Sequence, residues 1–254
     1  MDLLIICYNR SETEGTTFML DFPRFRHMFK LDPDKPISDE DLEAICFSGT
    51  DAIVVGGTQN IRYEDVAALL SRLRRYTCPV VLEVSDQKAI VPGFDHYFIP
   101  FVLNAEDPEW FLKPHVRAIQ TFGGLIPWDQ LSAVGYLVLN PDSAVARLTQ
   151  CRIPLSDDEV LAYGRLAAHL LKLPFFYLEY SGTFGDVQLV EKVGTQLKKE
   201  SGIHLLYGGG ITSSQEAQAM LKGADTIVVG NIIYDDVAKA LQTVPPRKAG
   251  GDGV

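Results

Sequence analysis

The sequence predicts an α/β fold, a TIM-type (β/α)8 barrel with a gap in its ring of helices. Three observations predict it. Eight short apolar runs recur along the 254 residues, most of them separated by stretches with a helical repeat. The runs are rich in β-branched and aromatic residues and do not alternate with polar ones, as parallel strands covered on both faces do. The last two runs end in glycine, where such barrels commonly carry phosphate-binding turns. An open, doubly wound sheet is the competing architecture.

The elements follow in order. His27–Leu31 is the first strand. A helix over Asp39–Phe47 comes next, opened by Ser38 with Asp41 three residues on, a spacing that satisfies orphan N–H groups. Ala52–Val55 is the second strand, and Val66, Leu69, Leu70 and Leu73 behind it share one helix face. Pro79–Val84 is the third. Only Asp86–Asp95, with Pro92 and Gly93, separates it from the fourth, Tyr97–Leu103. That is too short for a packed helix, so the ring should lack its third helix and leave an apolar groove. One helix is predicted over Pro108–Phe122, where Trp110 and Phe111 read as core or groove wall. The fifth strand is Tyr136–Leu139. A stripe of Val160, Leu161, Gly164, Ala168 and Leu171 marks the helix before the sixth, Phe175–Leu178. Leu189, Val190, Val193 and Leu197 form another stripe ahead of the seventh strand, His204–Tyr207. A helix over Ser214–Leu221, capped by Ser213, precedes the eighth strand, Thr226–Val229, and Asp235–Leu241 is the last helix. Residues 1–20 read as an extension without fixed structure and 245–254 as a flexible tail, leaving a single domain over 21–244.

Composition narrows the function. Hydrophobic residues make up 46% of the chain, enough for a full core, and 33 acids against 23 bases give a net charge of −10. A surface that acidic argues against nucleic acid as a partner, though a local pocket for a small phosphate remains open. Leu3–Cys7, preceded by Asp2, is too short for a signal peptide or a membrane span. Cys7, Cys46, Cys78 and Cys151 show no paired spacing, so a soluble, reduced, cytoplasmic protein is expected. The five histidines share no spacing or acid partner and read as packing or surface residues.

Chemistry concentrates at the strand ends. Tyr207-Gly208-Gly209-Gly210-Ile211 and Val228-Val229-Gly230-Asn231 each lead into a helix, and glycine lets backbone N–H groups approach an anion. In Tyr177-Leu178-Glu179-Tyr180-Ser181-Gly182, alternation puts Tyr177, Glu179 and Ser181 on one side. A carboxylate facing inward there must be paired or functional. Lys30 and Asp32 share a face at the end of the first strand, where Lys30 suits a phosphate and Asp32 a metal or a plain ion pair. Thr58, after Gly56-Gly57, is a hydroxyl ligand or a turn residue. Glu83, Ser85, Asn104 and Asn140 occupy further polar strand ends.

Taken in order, Lys30-Leu31-Asp32-Pro33, Gly56-Gly57-Thr58, Val91-Pro92-Gly93-Phe94-Asp95, Tyr97-Phe98-Ile99-Pro100, the Tyr177–Gly182 element and the two glycine turns resemble the geranylgeranylglyceryl phosphate synthase family, most closely its bacterial heptaprenylglyceryl phosphate synthase branch. The resemblance runs from about Phe25 to Val244. It implies a modified TIM barrel lacking the third helix. It also implies transfer of a polyprenyl group from its diphosphate to the 3-hydroxyl of sn-glycerol 1-phosphate, with Mg²⁺. Carried over by motif, Lys30, Tyr177, Glu179, Ser181, Gly182, Gly210, Gly230 and Asn231 would hold the glycerol phosphate, with Leu178 and Tyr180 counted in the same element. Glu179 would be the catalytic base, and Asp32 and Thr58 would hold Mg²⁺ and the diphosphate. A homodimer and transient membrane contact are implied partners. Three other readings compete: a geranylgeranyl donor with the same acceptor, a phosphate-binding barrel isomerase or lyase, and a non-catalytic binder of prenyl lipid or phosphometabolite.

Overall fold

The protein is described here by a computed structural model covering residues 20–246. The predicted extension, apart from Leu20, and the tail beyond Pro245 and Pro246 fall outside the described residues. Eight parallel strands close into a barrel: β1 (His27–Leu31), β2 (Ala52–Val55), β3 (Val80–Glu83), β4 (His96–Val102), β5 (Leu131–Val138), β6 (Phe175–Glu179), β7 (His204–Gly208) and β8 (Thr226–Val229). β1 pairs with both β2 and β8, so no edge is left open. The open-sheet alternative is thereby excluded.

Around the barrel lie α1 (Asp39–Phe47), α2 (Tyr63–Leu73), α3 (Lys113–Phe122), α4 (Ala144–Thr149), α5 (Asp157–Arg165), α6 (Val187–Glu200), α7 (Ser214–Met220), α8 (Ile232–Asp235) and α9 (Val237–Leu241). Between β3 and β4 the chain makes only a three-residue 3-10 turn, Gln87–Ala89, capped by the Asp86 side chain. The Ser38 and Ser213 hydroxyls accept the N–H groups of Asp41 and Glu216, as their spacing predicted.

Several boundaries differ from those the sequence predicts, each for a local reason. The helix expected over Pro108–Phe122 is a 3-10 turn, Pro108–Trp110, followed by α3. Pro114 has no N–H, and inside a helix its ring would meet the carbonyl four residues back, so the helix restarts beside it. The last predicted helix is split at Asp236, whose backbone is extended and whose carboxylate caps α9 by accepting the Lys239 N–H. The stripe ending at Leu171 leaves α5 through a π turn, Leu166–Leu170. β5 begins five residues earlier than its apolar run, because Ser132, Ala133 and Gly135 interrupt the hydrophobic signal. α4 is too short to show a repeat.

Two cores result. Alternate strand residues fill the barrel interior, among them Met28, Val54, Val81, Phe98, Phe175, Leu206 and Val228. Phe22 packs into this layer, its ring 5.4 Å from Phe98 and 5.2 Å from Phe175. The other strand faces meet the helices through Phe29, Ile53, Leu137, Leu178, Val190, Val193 and Ile227. Each fully buried side chain of this size contributes about 1.5–3 kcal/mol against solvent exposure. The described histidines that the sequence read as packing residues behave as such: His27 bonds Thr50 and Thr243, and the His115 ring stacks on Phe101 at 4.1 Å.

Candidate active site

A cavity of about 510 Å³ opens at the C-terminal ends of the strands. This is where the βα loops of such barrels gather. Among the residues named from sequence, Lys30, Asp32, Thr58, Tyr177, Ser181, Gly182, Gly210, Gly230 and Asn231 all line it. Glu179 lies just beneath, 3% exposed. Leu178 and Tyr180 do not reach it. Leu178 is fully buried against the helices, and Tyr180 packs outward on Tyr207, ring centroids 5.9 Å apart. Strand alternation that turns Tyr177 and Glu179 inward turns these two side chains away from the cavity.

The glycine turns shape the floor. Gly210 adopts φ +60°, and a Cβ there would run into the Thr183–Phe184 backbone. The chain from β6 therefore lies directly against the β7 turn, bringing Ser181 and Gly182 alongside Gly210. Asn140, at the end of β5, pins that segment: its Nδ2 donates to the Ser181 carbonyl at 2.6 Å.

Below the cavity sits a compact charged cluster. The Lys30 Nζ donates to Glu83 Oε1 at 2.7 Å, and the Tyr136 hydroxyl donates to the other Glu83 oxygen. Tyr136 and Tyr177 are register partners on β5 and β6, and their rings meet edge to face at 4.6 Å. Glu179 Oε1 accepts the Ser181 N–H at 2.8 Å and also the Ser181 hydroxyl. Burial pushes the Glu179 carboxyl above the ordinary glutamate value; Lys30 and Ser181 pull it back, and the Glu83 charge pushes it up again. Burial alone would lower the Lys30 ammonium, but Glu83, Glu179 and Asp32 outweigh it and hold the group protonated. Burial raises both tyrosines well above their usual range. The site thus offers a fixed cation, a carboxyl with raised basicity and two neutral phenols.

On the β1 side, Asp32 Oδ1 accepts the Asp34 N–H at 3.0 Å, and the Asp32 N–H donates to the Tyr234 hydroxyl at 2.7 Å. A Cβ on Gly57 would lie 2.8 Å from Asp32 Oδ1, so the β2 loop is seated closely on this carboxylate. No group of three or more His, Cys, Asp or Glu that could hold a metal occurs among the described residues. Mg²⁺ fits this donor set, since it commonly takes one or two carboxylates and completes its shell with water and substrate phosphate.

Sequence reasoning missed three contributors. Tyr136 had a signal, since it shares a strand face with Asn140 at even spacing. The Lys30–Glu83 pair joins residues 53 apart, and no local pattern announces it. Tyr234 sits on α8 and reaches Asp32 only through the closure of β8 on β1.

The chain matches the PcrB family over residues 20–247. A heptaprenylglyceryl phosphate synthase of Bacillus mycoides (strain KBAB4) is 52% identical over 230 residues, covering 91% of this chain and 99% of the relative. Among solved structures, (S)-3-O-geranylgeranylglyceryl phosphate synthase from Thermoplasma acidophilum, in complex with sn-glycerol-1-phosphate, superposes with a TM-score of 0.74 at 24% identity, over 86% of this chain and 92% of that one. Wild-type GGGPS from Thermoplasma volcanium gives 0.73 at 25% identity, over 88% and 95%.

Proposed function

The chain belongs to the PcrB family, and from that premise we propose how its barrel mouth works as a heptaprenylglyceryl phosphate synthase. The observation that carries the reading is the convergence of two glycine turns, a part-buried ammonium and a carboxyl of raised basicity on one polar cavity.

The acceptor is sn-glycerol 1-phosphate. Its phosphate lies on the turns of Gly210, Gly230 and Asn231, where backbone N–H groups point at the anion, with Lys30 adding charge. Ser181 and Gly182 hold the glycerol between this anchor and Glu179. Anchoring one end decides which hydroxyl faces the donor. Glu179 takes the proton of the 3-hydroxyl as its oxygen bonds to the first carbon of the prenyl chain, and the bond from that carbon to diphosphate breaks. Asp32 and Thr58 would hold Mg²⁺, which when bound would supply charge neutralisation for the leaving diphosphate. Asn140 keeps the Ser181–Gly182 segment in place throughout.

The donor tail runs along the apolar surface near the short β3–β4 link, which we read as the place of an absent third helix. Leu112, Val116 and Ile119 on and beside α3 are about half exposed and offer such a surface. A tail of about 35 carbons at ~0.8 kcal/mol per CH₂ would sum to about 28 kcal/mol, beyond the practical ceiling of ~18–21 kcal/mol. The excess vanishes if the donor starts in a membrane and the groove only matches lipid. No helix among the described residues is long and apolar enough to cross a membrane. We place the chain in the cytoplasm, touching the bilayer transiently by its surface. A two-fold homodimer is the simplest assembly.

The acceptor half is tested by calorimetric titration with sn-glycerol 1-phosphate in the absence of donor. One site per chain is expected, with affinity falling at least about tenfold in Lys30→Met. Absence of binding, or equal binding in the variant, contradicts this placement of the phosphate.

A further inference from the structure

The barrel interior holds one cation between two carboxylates. Lys30 donates to Glu83, while Glu179 takes its hydrogen bonds from Ser181 instead. Nothing in the charges alone makes that choice, since Glu179 also attracts Lys30. The surroundings of Glu83 make it. Its second oxygen is tied by the Tyr136 hydroxyl, and Tyr136 is itself 5% exposed and wedged against Tyr177. Gly56 opens the seat on the β2 side: a Cβ there would lie 2.8 Å from the Glu83 Cβ and 3.2 Å from Oε1. Both oxygens of Glu83 are therefore engaged, one by Lys30 and one by Tyr136, and Glu83 itself does not line the cavity.

We propose that Glu83 is a positioning residue for the transfer reaction, holding the Lys30 ammonium on the β3 side of the barrel and so keeping it from closing on the Glu179 carboxylate. A cation paired directly with Glu179 would stabilise its ionised form and leave a weaker base. It would also draw Lys30 away from an acceptor phosphate. The inference rests on the reading of Glu179 as the base and Lys30 as a phosphate ligand. The titratable groups facing Glu179 are Lys30 from β1, Glu83 from β3, Tyr136 from β5 and Tyr177 on its own strand, with Tyr207 of β7 on the outer face behind it. Burial keeps the three phenols neutral, so Lys30 and Glu83 supply the charge that sets its basicity.

The test uses the full chain with ¹³C-labelled glutamate carboxyls and compares wild type, Glu83→Gln and Tyr136→Phe. The Glu179 resonance is identified by its loss in Glu179→Gln. In Glu83→Gln the Glu179 carboxyl should titrate lower by at least about one pH unit, since a like charge is lost and Lys30 is released toward it. Tyr136→Phe, which loosens Glu83 without removing its charge, should move the midpoint in the same direction by less. In ether formation the acceptor KM should rise severalfold in both variants, and the acid limb of kcat should follow the titration. Substrate ionisations are common to all three proteins and cancel in the comparison. An unchanged or raised Glu179 midpoint in either folded variant overturns the proposal, even if activity falls. If Glu83→Gln does not fold, Tyr136→Phe alone decides. Because the titration needs no turnover, it separates failure here from failure of the functional reading, which an inactive wild type would reveal.

Discussion

In the proposed reaction, Glu179 is the residue on which the chemistry turns. Its depth below the cavity and its raised basicity suit a base that must stay selective for one hydroxyl. Replacing it with Gln keeps the shape and the Ser181 contacts but removes the proton acceptor. Turnover should fall about 10²–10⁴-fold while acceptor affinity stays within a few fold; equal loss in both would assign Glu179 to binding alone. Asp32→Asn should act differently. It loses the charge a hard cation prefers, so a titration of activity against Mg²⁺ should shift to higher concentration. An unchanged titration and rate would leave Asp32 a loop-closing residue, tied to Asp34, Lys35 and Tyr234. These residues could be named as candidates from sequence because strand alternation fixes direction, and alternation also tells why Leu178 and Tyr180 turn away. Glu83 and Tyr136 could not be assigned roles that way, because their partnership with Lys30 exists only once three strands far apart in sequence close into one interior.

Among the elements, strands were easier to read than helices. A parallel strand buried on both faces announces itself by continuous apolar character, and β2 and β8 fall where the sequence places them. Helix ends depend on single residues: Pro114 delays α3 and Asp236 divides α8 from α9. β1 carries a device the sequence did not reveal. His27 is 1% exposed and bridges Thr50, ahead of β2, to Thr243, beyond α9. Burial drives its pKa down to about 3. The folded value lies below the unfolded one, so the unfolded chain binds the proton first. Stability is then full above about pH 6.5 and drains as pH falls toward 3, by at most about 1.4 kcal/mol per pH unit. Urea unfolding midpoints at pH 7.5 and pH 5 should show the loss, and His27→Gln should flatten the dependence. A dependence as steep in the variant would place the titrating group elsewhere, with His96, lowered to about 4 by burial, the next candidate.

At the scale of the whole molecule, an acidic protein of net charge −10 gathers the Lys30 ammonium and its glycine turns at one end of a closed barrel. The surrounding acid discourages nucleic acid, and the local site is the one we assign to a small phosphate. The Tyr177–Gly182 element and the paired turns make that site legible in the sequence, since each motif sits at a strand end and strand ends meet in a barrel. The course we propose for the prenyl tail is less legible, because it depends on how α3 and the short β3–β4 link are placed around the barrel. The central claim is the transfer itself. The full chain should be incubated with labelled sn-glycerol 1-phosphate, heptaprenyl diphosphate and Mg²⁺, and the label then partitioned between water and organic solvent. Label should enter the organic phase as a phosphate ether, should do so only with the prenyl donor present, and should be suppressed by Glu179→Gln. Label that stays in the aqueous phase with a folded, acceptor-binding protein would contradict the claim.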